Sequence, residues 1–397
     1  MVRRAAPRDH GRVRRSADDR DLPIEPIELP LADLPARRER RRRPRARWLA
    51  AGVVAALALG AVLVVGTARS PHRQRLLTLP PLGADPRPET IRLGRPLLKV
   101  PASWELVVRG PQLLRIRLRR GIVVRTNLAP LQSTGPIFMV VEPALVLIRP
   151  LDEVPGYQVP DGGPAQDLHG LLGVGGPLYP AADPQHLWST IGVGPTRQMV
   201  LVTADGRPSG PTVPMADSFP TAADQTGSLI ATDATGTYLF NASGRTLVTT
   251  GTLLAVGPSR WLTAEDGATG CELIVTDRAT AVRHRIGPTT CPPGVDFAGL
   301  IAPDGSAAAY MTTYTTDGGT EGLHLVDLSS GSDRLLSVAP APPDGSNGRM
   351  VWSPDSKTLF FLSSDGEIVL SDHHGNLHLL DLALPAAAQL AFRISHP

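Results

Sequence analysis

The sequence predicts an all-β fold, a β-propeller of about seven four-stranded blades with six as the alternative count, preceded by one transmembrane α-helix and a disordered N-terminal tail. Three observations predict it. Gly (39) and Pro (40) supply about a fifth of the 397 residues, which favours turns and short strands over long helices. Pairs of short apolar strands joined by tight turns recur along the C-terminal three quarters of the chain. One run near the N-terminus, from Trp48 to Ala68, carries no charge over 21 residues.

The N-terminal elements come first. Residues 1–47 hold 15 Arg against 8 acids, a balance of +7, which leaves −4 for the rest of a chain whose net charge is +3. The basic character belongs to the tail, so the folded part is not expected to bind nucleic acid. Few aromatic or regularly spaced apolar residues occur in 1–47, and the segment cannot offset the entropy of ordering. Its one apolar-acidic patch, LPIEPIELPLADL (22–34), is a solvated linker or a short docking motif.

WLAAGVVAALALGAVLVVGTA (48–68) is long enough, at about 1.5 Å per helical residue, to cross a hydrocarbon core of roughly 30 Å. Trp48 marks the interface, and Leu57, Leu63 and Val65 are typical of the lipid-facing anchor. A cleaved signal peptide is the competing reading, since Gly66-Thr67-Ala68 resembles a cleavage site. The long preceding segment argues against it. Arg40, Arg41, Arg42, Arg43, Arg45 and Arg47 lie immediately before the span, with only Arg69, Arg73 and Arg75 close behind it. Arginine beside a span resists translocation, so the N-terminus is expected in the cytoplasm and the bulk of the chain outside. The same arginines would attract membrane lipid headgroups.

A Pro-rich tether (69–90) is expected to hold a folded region of 91–397 away from the bilayer. Seven hairpins follow, at 113–126, 144–159, 198–213, 237–250, 272–286, 323–338 and 367–382. Gly121, Gly156, Gly206, Gly244, Gly331 and Gly375 stand where such turns need positive φ. The mean interval from Gly121 to Gly375 is about 42 residues, the scale of a four-stranded blade. SWELVV (103–108), HLWSTI (186–191), SRWLTA (259–264), AAAYMTT (307–313) and TLFFLS (358–363) supply strands for the inner part of the blades. QLAFRIS (389–395) is expected to pair into the first blade and close the ring.

IAPDGSAAAY (301–310) and WSPDSKTLFF (352–361), 51 residues apart, resemble the "SPDG plus strand" opening of WD40-like blades in TolB-type propellers. ATDATGTYLF (231–240) is a weaker third match, and Ser356 departs from the pattern at the Gly position. The resemblance implies the fold and leaves the function open.

Cys271 and Cys291 are the only cysteines, and outside the cell they are expected to form a disulfide. No cofactor or metal is expected. There is no GxSxG elbow, P-loop, HExxH or GxGxxG, and GVGG at 173–176 lacks the spacing. His373 and His374 lie in a hairpin turn, and the seven Asp-Gly dipeptides lack the D-x-D-x-D-G spacing of calcium loops. Asn241-Ala242-Ser243 matches a glycosylation acceptor, but the Arg/Ala/Pro-rich usage suggests a bacterial chain.

Two functions fit these features. One is a membrane-anchored extracytoplasmic binding or scaffold module for a protein, peptide or glycan. The other is a propeller-type hydrolase or lyase with its active site at the central channel, for which Asp152, Glu153, Glu265 and Asp266 are the raw material.

Overall fold

The computed structural model describes residues 77–394 apart from 81–86, 129–136, 151–155, 168–177, 184, 193–195, 204–206, 216–217, 225, 242, 269, 290–298, 313–321, 339–347 and 385–386. The chain divides into two units, Met1–His72 and Arg73–Pro397. The first lies wholly outside the described residues, and with it the predicted tail, the span at 48–68 with Trp48, Leu57, Leu63 and Val65, and the arginines Arg40, Arg41, Arg42, Arg43, Arg45 and Arg47. Among the described residues, no helix is long and apolar enough to cross a membrane.

The described elements are strands, arranged as successive antiparallel meanders. Blade 1 uses Trp104–Arg109, Gln112–Arg117 and Ile122–Asn127. Blade 2 follows with Ile137–Val141, Leu145–Pro150, Tyr157–Pro160 and Gln166–Asp167. In blade 3 the strands are Leu178–Pro180, His186–Ile191, Gln198–Thr203 and Pro208–Pro214. Blade 4 comprises Phe219–Ala223, Leu229–Asp233, Gly236–Asn241 and Gly244–Thr249. Thr252–Val256, Arg260–Gly267, Gly270–Asp277 and Arg283–Thr289 make blade 5. Blade 6 has Gly299–Ile301, Ala307–Thr312, Gly322–Asp327 and Asp333–Leu335. Met350–Trp352, Thr358–Leu362, Ile368–Asp372 and Leu377–Leu379 complete blade 7. Two parallel pairings, Ala255↔Gly299 and Val256↔Leu300, merge the sheets of blades 5 and 6.

The inner strand of blade 1 comes from the other end of the chain. Gln389–Ile394 pairs antiparallel with Trp104–Arg109 over six residues, from Trp104↔Ile394 to Arg109↔Gln389, as the alternation of Leu390, Phe392 and Ile394 predicts.

Alternation also explains why the ring closes. A strand inside a blade has neighbours on both faces, so successive side chains serve opposite interfaces. In blade 7, Leu359 and Phe361 pack with Ala307, Leu323 and Leu325 of blade 6, whereas Phe360 and Leu362 pack with Leu106, Leu114 and Leu390 of blade 1. Val107 and Leu113 of blade 1 point the other way, to Val146, Ile148 and Val159 of blade 2. Further clusters join blades 2 and 3, 3 and 4, 4 and 5, and 5 and 6. Each of the seven apolar clusters fills one gap between consecutive blades, and one of them joins the last blade to the first. Among the described residues, seven blades make a closed β-propeller.

Several details differ from the sequence reading. Six of the predicted hairpins are third-to-fourth strand pairs, but 144–159 joins the second and third strands of blade 2, because that blade's outer strand is only Gln166–Asp167 and has no apolar signal. Gly121, Gly244, Gly331 and Gly375 take positive φ and Gly156 does not; Gly206 lies outside the described residues. The match at 231–240 spans the second-to-third strand turn of blade 4, so it is not a blade opening. Part of the segment assigned to the tether belongs to the ring. Leu77–Thr78 pairs parallel with Leu382–Ala383, Leu79 joins the core between blades 7 and 1, and Glu89–Arg92 adds a fifth strand outside Ile122–Asn127. Buried Arg125 fixes this strap, bonding to Glu89 and to the Pro80 carbonyl.

The departure at Ser356 has a physical reason. Gly305 has φ +75° in one motif, and Ser356 has φ +63° at the equivalent place, a strained position for a residue with a Cβ. The Ser356 hydroxyl accepts the Asp304 N–H at 2.9 Å, tying the opening turn of blade 7 to that of blade 6. Ser356→Gly should be near neutral, since it trades about 1 kcal/mol of strain for about 1 kcal/mol of hydrogen bond. Ser356→Ala keeps the strain and loses the bond, and should cost about 1 kcal/mol in chemical denaturation.

Candidate functional site

A meander brings the starts of the inner strands, the ends of the second strands and the starts of the third strands to one end of the ring. At that end blade 1 places Arg109 and Gln112, and the closing strand begins with Gln389; all three are buried. Arg109 Nε donates to Gln389 Oε1 at 2.5 Å, so the pair also crosses the seam. The second strand of blade 2 reaches the same end, where Arg149 is buried and burial pulls its pKa below the usual guanidinium range. Arg349 immediately precedes the inner strand of blade 7. Blades 7, 1 and 2 therefore carry guanidinium and amide groups at this end, the chemistry that pairs with carboxylates.

Across the ring the equivalent second-strand ends are acidic. Glu265 of blade 5 accepts from Thr249 Oγ1 at 3.1 Å and Thr263 Oγ1 at 3.0 Å and pairs with Arg283. Burial pushes its pKa up, but these bonds outweigh burial and hold it below the usual carboxylate value. Asp233 of blade 4 is held low by Thr235, with Ser218 and Arg245 adding to the effect. Both stay ionised and engaged at neutral pH, which suits structural anions and not a general acid.

The opposite end carries the one described carboxyl group with the contrary shift. Glu142 directly follows the inner strand of blade 2 and is buried. Burial and the Asp183 charge push its pKa up to about 7. Asp183 stays anionic, held low by the Gln185 N–H and by His186, whose Nδ1 lies 2.8 Å from Asp183 Oδ2.

Other sequence candidates divide clearly. Asp152, Glu153 and Cys291 lie outside the described residues. Cys271 is buried at the start of the third strand of blade 5, opposite Asp266, and no cysteine is free among the described residues. His373 stacks at a tilt on Trp352 and bonds to the Ser356 carbonyl, while the His374 N–H caps onto Asp372, so both serve a turn. Asn241 likewise closes a turn onto the Ser243 N–H at 2.8 Å. Among the described residues, no group of three or more His, Cys, Asp or Glu could hold a metal ion. Sequence reasoning missed Arg109, Gln112, Arg149, Gln389 and Glu142. Their signal was a polar residue at the end of an otherwise apolar strand, as in WELVVR and LVLIRP.

No protein-family model matches the chain, and no curated protein matches it. Several solved structures are similar. A functionally unknown protein from Desulfotomaculum acetoxidans DSM 771 has 12% identity, covers 74% of this chain and 99% of its own, and gives a TM-score of 0.48. TolB from Acinetobacter baumannii has 11% identity, coverage of 76% and 88%, and a TM-score of 0.39. An oligogalacturonate lyase from Vibrio parahaemolyticus has 11% identity, coverage of 70% and 93%, and a TM-score of 0.45. These are likenesses of propeller fold, and they assign no activity to this chain.

Proposed function

We propose that the ring is a membrane-anchored extracytoplasmic binding module that takes an acidic peptide, protein segment or glycan at the end where the inner strands begin. The observation that carries this reading is the set of Arg109, Gln112, Arg149 and Gln389 gathered there on two adjacent blades. Guanidinium and amide groups match carboxylate chemistry, and Glu265 and Asp233 at the same end are held by partners of their own. The test probes an array of acidic peptides and uronate-containing glycans with the detergent-solubilised full-length protein. Carboxylate-bearing ligands should be retained, and Arg149→Gln should weaken them about tenfold or more. A capture experiment with tail-deleted protein completes it: loss of every partner from that form sinks the reading.

The alternative, a hydrolase or lyase on sugars or lactones, has Glu142 in its favour, because a carboxyl group that titrates near neutrality can act as a general acid. Turnover abolished by Glu142→Gln would support it.

The topology proposed from the sequence, with residues 48–68 in the membrane, the N-terminus inside and the ring outside, is tested by protease treatment of intact cells. Cleavage confined to residues 1–47 would refute it. We also propose that Cys271 and Cys291 are disulfide-bonded. Strand register sets Cys271 opposite Thr289, two positions before Cys291. Intact mass without reductant should resist alkylation, and reduction should cost about 3 kcal/mol for a loop of this length. Alkylation of both thiols in non-reduced protein would refute the bond.

A further inference from the structure

The structure assigns an unusual charge to one corner of blade 1. In blades 5, 6 and 7 the third strand ends on an Asp, and that carboxylate caps the following turn: Asp277 accepts the Thr280 N–H, Asp327 the Ser330 N–H and Asp372 the Asn376 N–H. Blade 1 ends its third strand on Arg117, and the turn continues with Leu118, Arg119 and Arg120 before Gly121. The strap lies directly against this turn. The Leu93 N–H bonds to the Gly121 carbonyl, and the N–H groups of Leu97 and Leu98 bond to the Leu118 carbonyl. A Cβ on Gly121 would lie 1.8 Å from the Arg95 carbonyl oxygen, which shows how closely strap and turn approach.

Arg92, Arg95, Lys99, Arg119 and Arg120 are exposed on these two neighbouring segments. Arg95 pairs with Asp381 and half-exposed Arg117 reaches Glu105, whereas Arg92, Lys99, Arg119 and Arg120 form no ion pair among the described residues. Arg117 stands where the sister blades carry a turn-capping aspartate, and the four cations lie in the turn it opens and on the strap against that turn. They stand out against residues 48–397, which together carry a net charge of −4.

We infer that this corner is a contact surface for anionic lipid headgroups, an inference that rests on the proposed span at 48–68. Only residues 69–76 separate that span from Leu77, where the strap joins the ring. Eight extended residues reach at most about 30 Å. The strap then delivers its own cations, and those of the turn it covers, to a surface whose negative potential attracts them within about one Debye length.

The test reconstitutes the full-length protein into nanodiscs of phosphatidylcholine alone or with phosphatidylglycerol. It follows labelling of Arg92, Arg119 and Arg120 by phenylglyoxal, and of Lys99 by acetylation, using peptide mass spectrometry. At low salt, labelling should slow by about threefold or more in the anionic discs and recover at high salt, with exposed Arg207 unchanged, because each basic residue near such a surface is held by about fivefold. Equal labelling in both discs overturns the surface while leaving the span intact. Protection produced only by soluble polyglutamate, and not by anionic discs, overturns it in favour of an acidic polymer. Failure of the chain to enter either disc overturns the span and this inference together.

Discussion

Replacing Glu105 with Gln is expected to destabilise the ring by about 3 kcal/mol, because it takes the buried carboxylate from the buried Arg393 and leaves it only half-exposed Asp161. Glu105 stands on the N-terminal side of the seam and Arg393 on the C-terminal strand, directly paired in register. Their side chains are 1% and 4% exposed, and Arg393 Nη2 donates to Glu105 Oε1. Arg393 Nη1 also donates to Asp161 Oδ1 at 2.7 Å, and Arg115 shares the same carboxylate. Three arginines, counting Arg117 at 3.5 Å, therefore depend on two acids, of which only Glu105 is buried. Asp161→Asn removes a half-exposed partner and should cost about 1 kcal/mol. Glu105→Gln combined with Arg393→Met should recover most of the loss, since a buried pair replaced by apolar volume is often neutral. The measurements are denaturant midpoints, together with hydrogen exchange of residues 389–394, which should accelerate first in the single variant. A Glu105→Gln protein within 1 kcal/mol of wild type would show that strand pairing alone closes the ring.

The order of legibility along the chain has a physical cause. Second, third and fourth strands were readable where they are long and alternate, as in HLWSTI, which matches its observed bounds of His186–Ile191. The inner strands were not, because those of blades 3, 6 and 7 have only three residues and include Gly299 and Pro180. Their strand character comes from neighbours on both sides and not from their own propensity. The closing strand was legible because six residues with clean alternation must find an edge. The strap was not, since Pro-rich composition signals an extended chain equally well when it pairs with a sheet edge. The mouth residues were hidden for a related reason. Arg109 and Arg149 each end an apolar strand, and only the ring reveals that both ends face the same way. By contrast, Ser356 was visible as an exception in its motif, and its explanation required the Asp304 N–H from the blade before.

Glu142→Gln should leave stability unchanged near pH 4 and raise it by about 3 kcal/mol at pH 8, the free-energy equivalent of a shift from 4.5 to about 7. Glu142 is 7% exposed, and among the described residues no hydrogen bond to its carboxylate offsets the loss of water. Burial is the larger cause of its raised pKa and the nearby Asp183 charge the smaller. The sign follows from proton counting. Below the unfolded value of 4.5 both states hold the proton, so the group contributes no difference. Between 4.5 and about 7 the unfolded chain ionises while the folded ring keeps its proton, and stability falls as pH rises. Above about 7 both are ionised, and the folded state bears the full cost of a buried charge beside Asp183. Gln keeps the shape and removes the ionisation, so the variant's stability should lose that slope. Asp183→Asn removes only the smaller cause and should flatten the slope partially. Urea midpoints at pH 5, 6, 7 and 8 give the comparison. Parallel curves for wild type and Glu142→Gln would mean that the carboxylate reaches water. A slope lost only with Glu142→Gln would mark this position as the ring's neutral-pH proton site and the first place to look for acid chemistry.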